Sequence, residues 1–466
     1  MKPSKRKTKA VELPAPNQEQ ALPSKEAREE DGLEKMASAL KTLGHYRNVI
    51  VLAVANLVGM LGYSMFSPVM SIYLKDYIKA TWLLLGLFTT TFALMRAILQ
   101  PLMGRLSDRI GRKKVIVPAL FAYSAIGYLY STATTGVEFV GYRVAQGVSS
   151  SSLWPASDAL VADTVPAEER GRAMGAVYST YQVGNVLGLA LGPIVAYLWG
   201  FMEIFYFTAL FAFLGAILSL LFLKEPRRKI HTGENSPQSP QQSEDKKDRS
   251  QTATEKADSP SRQQHSFRPG ARRIVLSIGV MNLLLNAAFA MMEFILSLLI
   301  WDILGGTLVD LSIIWGVTAV LSAVSTLIGG SFADKYNRRK IIIYVTAAAS
   351  VYWILMIFAT SLLYLAVIVF VFSFASGIVG PSVMAMVADL TPPDKRGRTF
   401  GLLGTFNDTG LALGPLMAGL LLDFLQLSIG LGEFLAMQLL FLLNAAITIG
   451  AVLVAVVGVK ELKAKY

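Results

Sequence analysis

The chain has 466 residues, of which 53% are hydrophobic and only 16% charged, with a mean hydropathy of +0.49. That balance excludes an ordinary water-soluble globule of this length. The absence of cysteine excludes disulfides and thiol chemistry, and the net charge of +11 takes its meaning from where the cations fall.

The first 46 residues are polar and basic, without the short apolar core and cleavage site of a signal peptide, and read as a tail near a membrane surface rather than a nucleic-acid arm. Apolar blocks of about 20 residues then follow, the length an α-helix needs to cross hydrocarbon. Twelve are predicted, near 48–74, 82–104, 114–132, 136–162, 172–198, 203–223, 273–299, 310–332, 340–358, 362–388, 399–424 and 434–458. They lack the alternation of lipid-facing strands, so a barrel is excluded. The expected fold is an all-α polytopic membrane protein. Its parts are a tail (1–46), a six-helix bundle (47–224), a flexible linker rich in Ser, Gln, Pro and Lys (225–272), a second six-helix bundle (273–459) and a short tail (460–466).

Cations concentrate after spans two, four, eight and ten, whereas the opposite loops carry few beyond Lys75 and Lys79. The positive-inside rule then places both termini and all basic loops in the cytoplasm. The densest basic stretch, Gly104 to Lys114, is predicted to be a tight loop between spans two and three, and it recurs 226 residues later as Gly330 to Lys340. Gly104, Asp108 and Arg112 recur as Gly330, Asp334 and Arg338; Arg109 and Gly111 give way to Lys335 and Asn337. Topology accounts for the cations but not for a carboxylate at the same place twice. The paired acids are therefore expected to act as a latch, engaging arginine or the exposed N–H groups of a helix end.

The offset of 226 also aligns Asp163 with Asp389 and Pro155 with Pro381; after a slip to 222, Gly188, Gly192 and Pro193 match Gly410, Gly414 and Pro415. Small residues at a spacing of four favour close helix packing, and the prolines add a bend. Two repeats in the same orientation imply a pseudo-two-fold axis along the membrane normal, with a substrate site between the halves.

Ionisable groups at membrane depth are costly and point to a cavity. Arg96 and Arg143, with Gln146 one turn on, are the deep cations, and Glu293 and Asp408 the expected deep carboxylates, one pair in each half. None is repeated: the partners of Arg96 and Arg143 are Ser322 and Val369, and those of Glu293 and Asp408 are Ser67 and Val186. Asn56, Gln182, Asn185, Asn282, Asn286 and Asn407 are further polar candidates, as cavity lining or as interhelical hydrogen-bonding groups. Met65, Phe66, Phe289, Met291 and Met292 are candidates for an adaptable apolar lining or for helix packing. The spans hold no histidine and no cysteine, so neither a nucleophile–base pair nor a metal site suggests an enzyme, and no cofactor is expected.

These motifs resemble those of the major facilitator superfamily. Gly104 to Lys113 resembles its loop signature, with a degenerate copy at Gly330 to Arg339; Arg143, Gln146 and Gly147 resemble its span-four motif. Gly188 to Pro193 resembles the span-five motif of antiporters, chiefly proton-coupled drug exporters. The resemblance implies a monomer of two rocking six-helix bundles working by alternating access. It implies that Asp108 docks at the start of span eleven to hold the outward-facing state, and that Arg143 couples protons. Span one lacks the acidic residue many drug exporters carry there, which leaves Glu293 or Asp408 as proton carrier. The expected activity is proton-coupled export of amphipathic small molecules across the plasma membrane. The alternatives are a carrier of anionic metabolites such as organic acids or sugar phosphates, drawing on the two arginines, and, more remotely, a non-transporting scaffold or sensor.

Overall fold

A computed structural model describes residues 46–166, 169–225, 270–392 and 395–459. Most of the expected N-terminal tail and linker, and the C-terminal tail, lie outside the described residues. The described chain is built from long helices: α1 (Arg47–Ile72), α2 (Trp82–Ile110), α3 (Lys113–Leu129), α4 (Gly136–Thr164), α5 (Arg170–Leu198), α6 (Phe201–Phe222), α7 (Ala271–Leu298), α8 (Leu308–Lys335), α9 (Arg338–Met356), α10 (Leu362–Leu390, interrupted at Gly377), α11 (Arg396–Asp423) and α12 (Glu433–Gly458). Eleven are long and apolar enough to cross a membrane by length and composition. The exception is α4, whose apolar content is diluted by Arg143, Gln146, the serines at 149–152 and Asp158.

The helices form two six-helix bundles. In the first, α1 packs on α5 and α6, and α4 on α2 and α3; in the second, α7 packs on α11 and α12, and α10 on α8 and α9. The small-residue stretches of α5 and α11 are where α1 and α7 approach most closely. A methyl group on Gly192 would overlap the Met65 carbonyl, and one on Gly414 the Ala287 carbonyl, so these positions admit hydrogen alone. Pro193 and Pro415 lie inside continuous helices immediately beyond those contacts.

Two boundaries differ from expectation. The Gly104 stretch is not a loop: α2 continues through Gly104 and Asp108 to Ile110, and α8 through Gly330 and Asp334 to Lys335. The helices outrun the apolar blocks because a span's hydropathy ends where the hydrocarbon does, while the backbone hydrogen bonding continues through the polar last turns. The turn itself is only Gly111 and Arg112, with Gly111 at φ 109°, a conformation side chains disfavour.

The halves meet along α2 and α11, α5 and α8, and α1 and α7. Their contact is lopsided. We call the end where α1 begins and α12 finishes the terminal side, and the opposite end the far side. On the far side a single apolar core runs across both halves, joining Met65, Phe66, Met70 and Trp82 to Met291, Leu298 and Ile300. Towards the terminal side it divides into two separate cores, one around Leu52, Ala156 and Leu160, the other around Ile278, Val387 and Ala451. The bundles are closed on the far side and parted on the terminal side.

Candidate functional site

The far-side closure is polar as well as apolar. The wide π turns that end α1 (Tyr73–Tyr77) and α7 (Leu299–Ile303) are repeat mates and face each other. Lys75 donates to Asp302 at 2.8 Å and also pairs with Glu433 at the start of α12, while Trp301 Nε1 donates to Asp76 at 2.9 Å. Beside them, Asp423 at the end of α11 accepts the backbone N–H groups of Trp82 and Leu83, both at 3.0 Å. The carboxylate of one half thus caps the first turn of α2 in the other; Thr81 takes the next amide, from Leu84, at 3.3 Å. Gln426 receives the Trp82 indole N–H at 2.9 Å.

Deeper contacts stop at mid-height. Thr90 donates to the Ala412 carbonyl at 2.7 Å, and Ser312 to that of Ala190. Arg96, midway along α2, faces Asp408 on α11 at 3.5 Å. Among the described residues no hydrogen bond or ion pair joins the halves nearer the terminal side. A cavity of about 170 Å³ lies there, lined by Asn56, Tyr63, Arg96, Ser150, Trp154 and Tyr181 among others, all from the first half.

Arg143 is the most enclosed charge of this region, 5% exposed. Its guanidinium lies over the rings of Phe92 and Phe88, at 4.3 and 4.6 Å from their centroids. It donates to Gln146 at 2.6 Å and to the Tyr63 hydroxyl at 3.3 Å, and Gln146 also accepts from Tyr130 at 3.0 Å. Glu293, on α7, accepts from Ser67 of α1 at 3.2 Å, a contact between repeat mates. Arg143 and Glu293 line one small pocket with Phe66, Ser67 and Thr89, without an ion pair between them. The structure therefore brings Arg96 to Asp408, and Arg143 within one pocket of Glu293.

The remaining polar candidates divide. Asn56 lines the cavity, and Gln182 is exposed. Asn185 accepts from Ser64 at 2.6 Å, tying α5 to α1; its repeat mate Asn407 accepts from Asn286 at 3.3 Å, tying α11 to α7. Asn286 also donates to the Asn282 carbonyl at 2.8 Å. Met65, Phe66, Met291 and Met292 are each at most 5% exposed within the far-side core, where they pack, Phe66 also bordering the small pocket of Arg143 and Glu293.

At the terminal ends, Asp108 pairs with Arg112, which also reaches Asp163 at 3.2 Å; its repeat mate Arg338 lies 3.9 Å from Asp334 and pairs with Asp389. Each half builds the same carboxylate–arginine–carboxylate cluster. Gly104 lies 3.6 Å, measured from the position of an added methyl, from Pro155 of α4, and Gly330 has open space beside it; neither shapes the turn. Arg109 closes α2, and Glu225 accepts the backbone N–H groups of Arg112 and Lys113 at 2.6 and 2.8 Å.

Sequence reasoning left six of these side chains without a role. Asp163 and Asp389 were visible as an aligned pair. Lys75, Asp423 and Glu433 carry no local signature, because their partners lie hundreds of residues away. Asp158, inside α4, corrects the expectation that deep carboxylates belong to the second half alone. Its signal was present: it lies on the helical face of Arg143, Ser150 and Trp154.

The Major Facilitator Superfamily profile matches residues 52–292 and 278–465. Multidrug resistance protein 2 of Bacillus subtilis is 24% identical over 386 residues, covering 82% of this chain and 91% of its own. The quinolone resistance protein NorA of Staphylococcus aureus is 23% identical over 364 residues, covering 78% and 87%. Among solved structures, a bacterial homolog of the human lysosomal transporter Spinster, in an inward-facing and occupied conformation, superimposes with a TM-score of 0.72 at 14% identity, covering 88% of this chain and 96% of that one. The nucleoside transporter NupG gives 0.68 at 13% identity, covering 89% and 100%.

Proposed function

The chain belongs to the major facilitator superfamily, and from that premise we propose that it is a secondary active exporter of amphipathic small molecules, driven by protons and working by alternating access. The observation that carries this reading is the lopsided meeting of the two halves, closed on the far side and open to a cavity on the terminal side. The basic ends of α2 and α8 support assigning the terminal side to the cytoplasm, so that the cavity faces inward at the plasma membrane. The other state is reached by separating Lys75 from Asp302 and Asp423 from α2, and by bringing the terminal ends together, where Asp108 engages the start of α11. The multidrug-resistance relatives support the substrate class.

Protons enter through the carboxylates that face a cation across the halves. In this conformation Asp408 faces Arg96 and Glu293 shares a pocket with Arg143. A carboxylate beside a guanidinium favours its charged form; separated from it and desolvated, it favours the proton. Rocking the bundles changes those separations and couples loading and release to the motion. Sealed proteoliposomes under an imposed pH gradient test this. Glu293→Gln and Asp408→Asn are each expected to uncouple export from the gradient, and the double variant to leave only downhill flux. Gradient-driven export that persists in the double variant rejects the assignment.

The anion-carrier reading receives less support. Arg96 lines the cavity but already faces Asp408 at 3.5 Å, and Arg143 is walled by aromatic rings, so the two guanidiniums do not form a pair that would clasp a carboxylate or phosphate.

A further inference from the structure

Two hydrogen bonds between the halves sit apart from the far-side gate, at mid-height. Thr90 of α2 donates to the Ala412 carbonyl of α11 at 2.7 Å, and Ser312 of α8 donates to the Ala190 carbonyl of α5. Both hydroxyl residues are buried. Their acceptors are repeat mates at the offset of 222, each three residues before a proline inside its helix, Pro415 or Pro193. A proline in a helix removes one backbone hydrogen bond and its ring pushes the preceding turn aside, which leaves the carbonyls of that turn open to an outside donor. The donors do not share a repeat position: Thr90 aligns with Gly316, and Ser312 with Gly86. Each donor helix therefore carries one hydroxyl and one glycine a turn apart, in exchanged order. A methyl group on Gly86 would overlap the Pro415 carbonyl, and one on Gly316 would lie 2.9 Å from the Ala190 Cβ, so each glycine marks a close approach of the two halves.

The pseudo-two-fold axis carries α2 onto α8 and α11 onto α5. The two contacts therefore lie at matching depth on opposite sides of that axis, and the line joining them crosses the molecule in the plane of the membrane. The groups that close the far side, Lys75 with Asp302 and Asp423 with the first turn of α2, lie to one side of this line. The cavity lies to the other. Two bodies that stay in contact at two points turn about the line through them. Groups on the line keep their distances, while groups away from it part at one end and meet at the other. A hydroxyl suits such a place: its proton rotates to follow the acceptor, and a carbonyl accepts over a broad range of directions. Inside the bilayer neither partner finds water if the contact is released.

We infer that the hydroxyls of Thr90 and Ser312 are the fulcrum of the transport cycle: they hold the Ala412 and Ala190 carbonyls in both states, and the halves rock about the line between them. This rests on the alternating-access reading above and names positioning residues for it. Neither residue lines the cavity or the small pocket of Arg143 and Glu293, so their part is to hold the halves in register and not to bind the solute.

A covalent tether tests the fulcrum, because a link on the axis of rotation permits the motion and a link away from it does not. In the cysteine-free chain, Ala190→Cys with Gly316→Cys places two thiols across the α5–α8 seam. The two Cβ positions are 2.9 Å apart and a disulfide needs about 3.5–4.5 Å, so a small relaxation admits the bond. Oxidation is expected to leave ethidium flux in proteoliposomes within about twofold of the reduced sample, whereas joining Lys75→Cys to Asp302→Cys with a short bismaleimide stops it. Thr90→Val and Ser312→Ala remove the hydroxyls alone. A fulcrum contact contributes equally to both states and a gate contact to one. Spin labels at Ile110 and Tyr336, exposed at the terminal ends, are therefore expected to show broader distances in the double variant with the ratio of the two states held within about twofold. Flux should fall several-fold in that variant and be kept by Thr90→Ser. A disulfide at the α5–α8 seam that stops flux, or hydroxyl variants that displace the state ratio by about fivefold or more, overturns the fulcrum and leaves transport standing. A wild type that moves neither ethidium nor any solute of a broad panel rejects transport itself.

Discussion

Replacing Arg143 by leucine is expected to reduce transport to background in a protein that still folds and inserts. The guanidinium is buried with no carboxylate partner; its charge is held by the faces of Phe88 and Phe92 and by hydrogen bonds to Gln146 and Tyr63. A leucine there sits among apolar rings, and exchanging a buried charge for a hydrophobe of similar reach is often tolerated by the fold. Function is another matter. Arg143 links α4 to α1 through Tyr63, and it is the charge nearest Glu293 in their shared pocket. The leucine removes the cation opposite Glu293, the one part of this arrangement that the second half contributes, and with it the change in charge environment that coupling needs, a loss expected to reach roughly a hundredfold or more in rate. Arg143→Lys keeps the charge but presents a compact ammonium in place of the planar fork, and is expected to lose about tenfold. Flux in proteoliposomes, set beside thermal unfolding of the same preparations, checks both. A leucine variant of normal flux would remove Arg143 from the mechanism.

Asp423→Ala is expected to open the far side. Its carboxylate supplies the cap for the amides of Trp82 and Leu83, which the alanine variant leaves without a partner while the halves remain closed. Loss of a capping side chain costs roughly 0.5–2 kcal/mol, with a further contribution from the positive end of the helix dipole. When the far side opens, those amides reach water, so the loss falls on the closed state. A bias of about 1–2 kcal/mol changes a two-state ratio by about 5- to 30-fold. Thr89 lines the small pocket beneath the gate, and the native chain has no cysteine to interfere. Thr89→Cys should therefore react several-fold faster with a membrane-impermeant maleimide applied from the far side when Asp423 is alanine. Lys75→Met, which removes the pairs with Asp302 and Glu433, should act in the same direction.

The fold was legible because apolar blocks of span length are hard to mistake, and because a duplicated charged stretch reveals a duplicated bundle. The packing role of Gly192 and Gly414 was legible for the same reason, since small residues at a spacing of four have few other uses in a membrane. The ends of α2 and α8 were misread because hydropathy marks the limit of the lipid, not of the helix. The far-side gate was illegible in principle. Asp423 and Trp82 are 341 residues apart and only folding brings them together. Asp158 was legible and overlooked: a carboxylate one turn from a tryptophan on a span already marked by Arg143 is as informative as Glu293. Met65, Phe66, Met291 and Met292 could be read as lining or as packing, and only the structure decides for packing in the far-side core, because methionine and phenylalanine serve a packed core and a binding surface equally well.

Alternating access needs two gates that open in turn, one observed at Asp423 and one proposed at Asp108. Spin-label distances read both ends at once. In the cysteine-free chain one label pair at Val137 and Leu427, both exposed at far-side helix ends, reports the far side, and another at Ile110 and Tyr336 reports the terminal side. Asp423→Ala is expected to lengthen the first distance and shorten the second together, and Asp108→Asn to move the populations the opposite way. Distances that change at one end alone, or that both variants shift in the same direction, would contradict alternating gates.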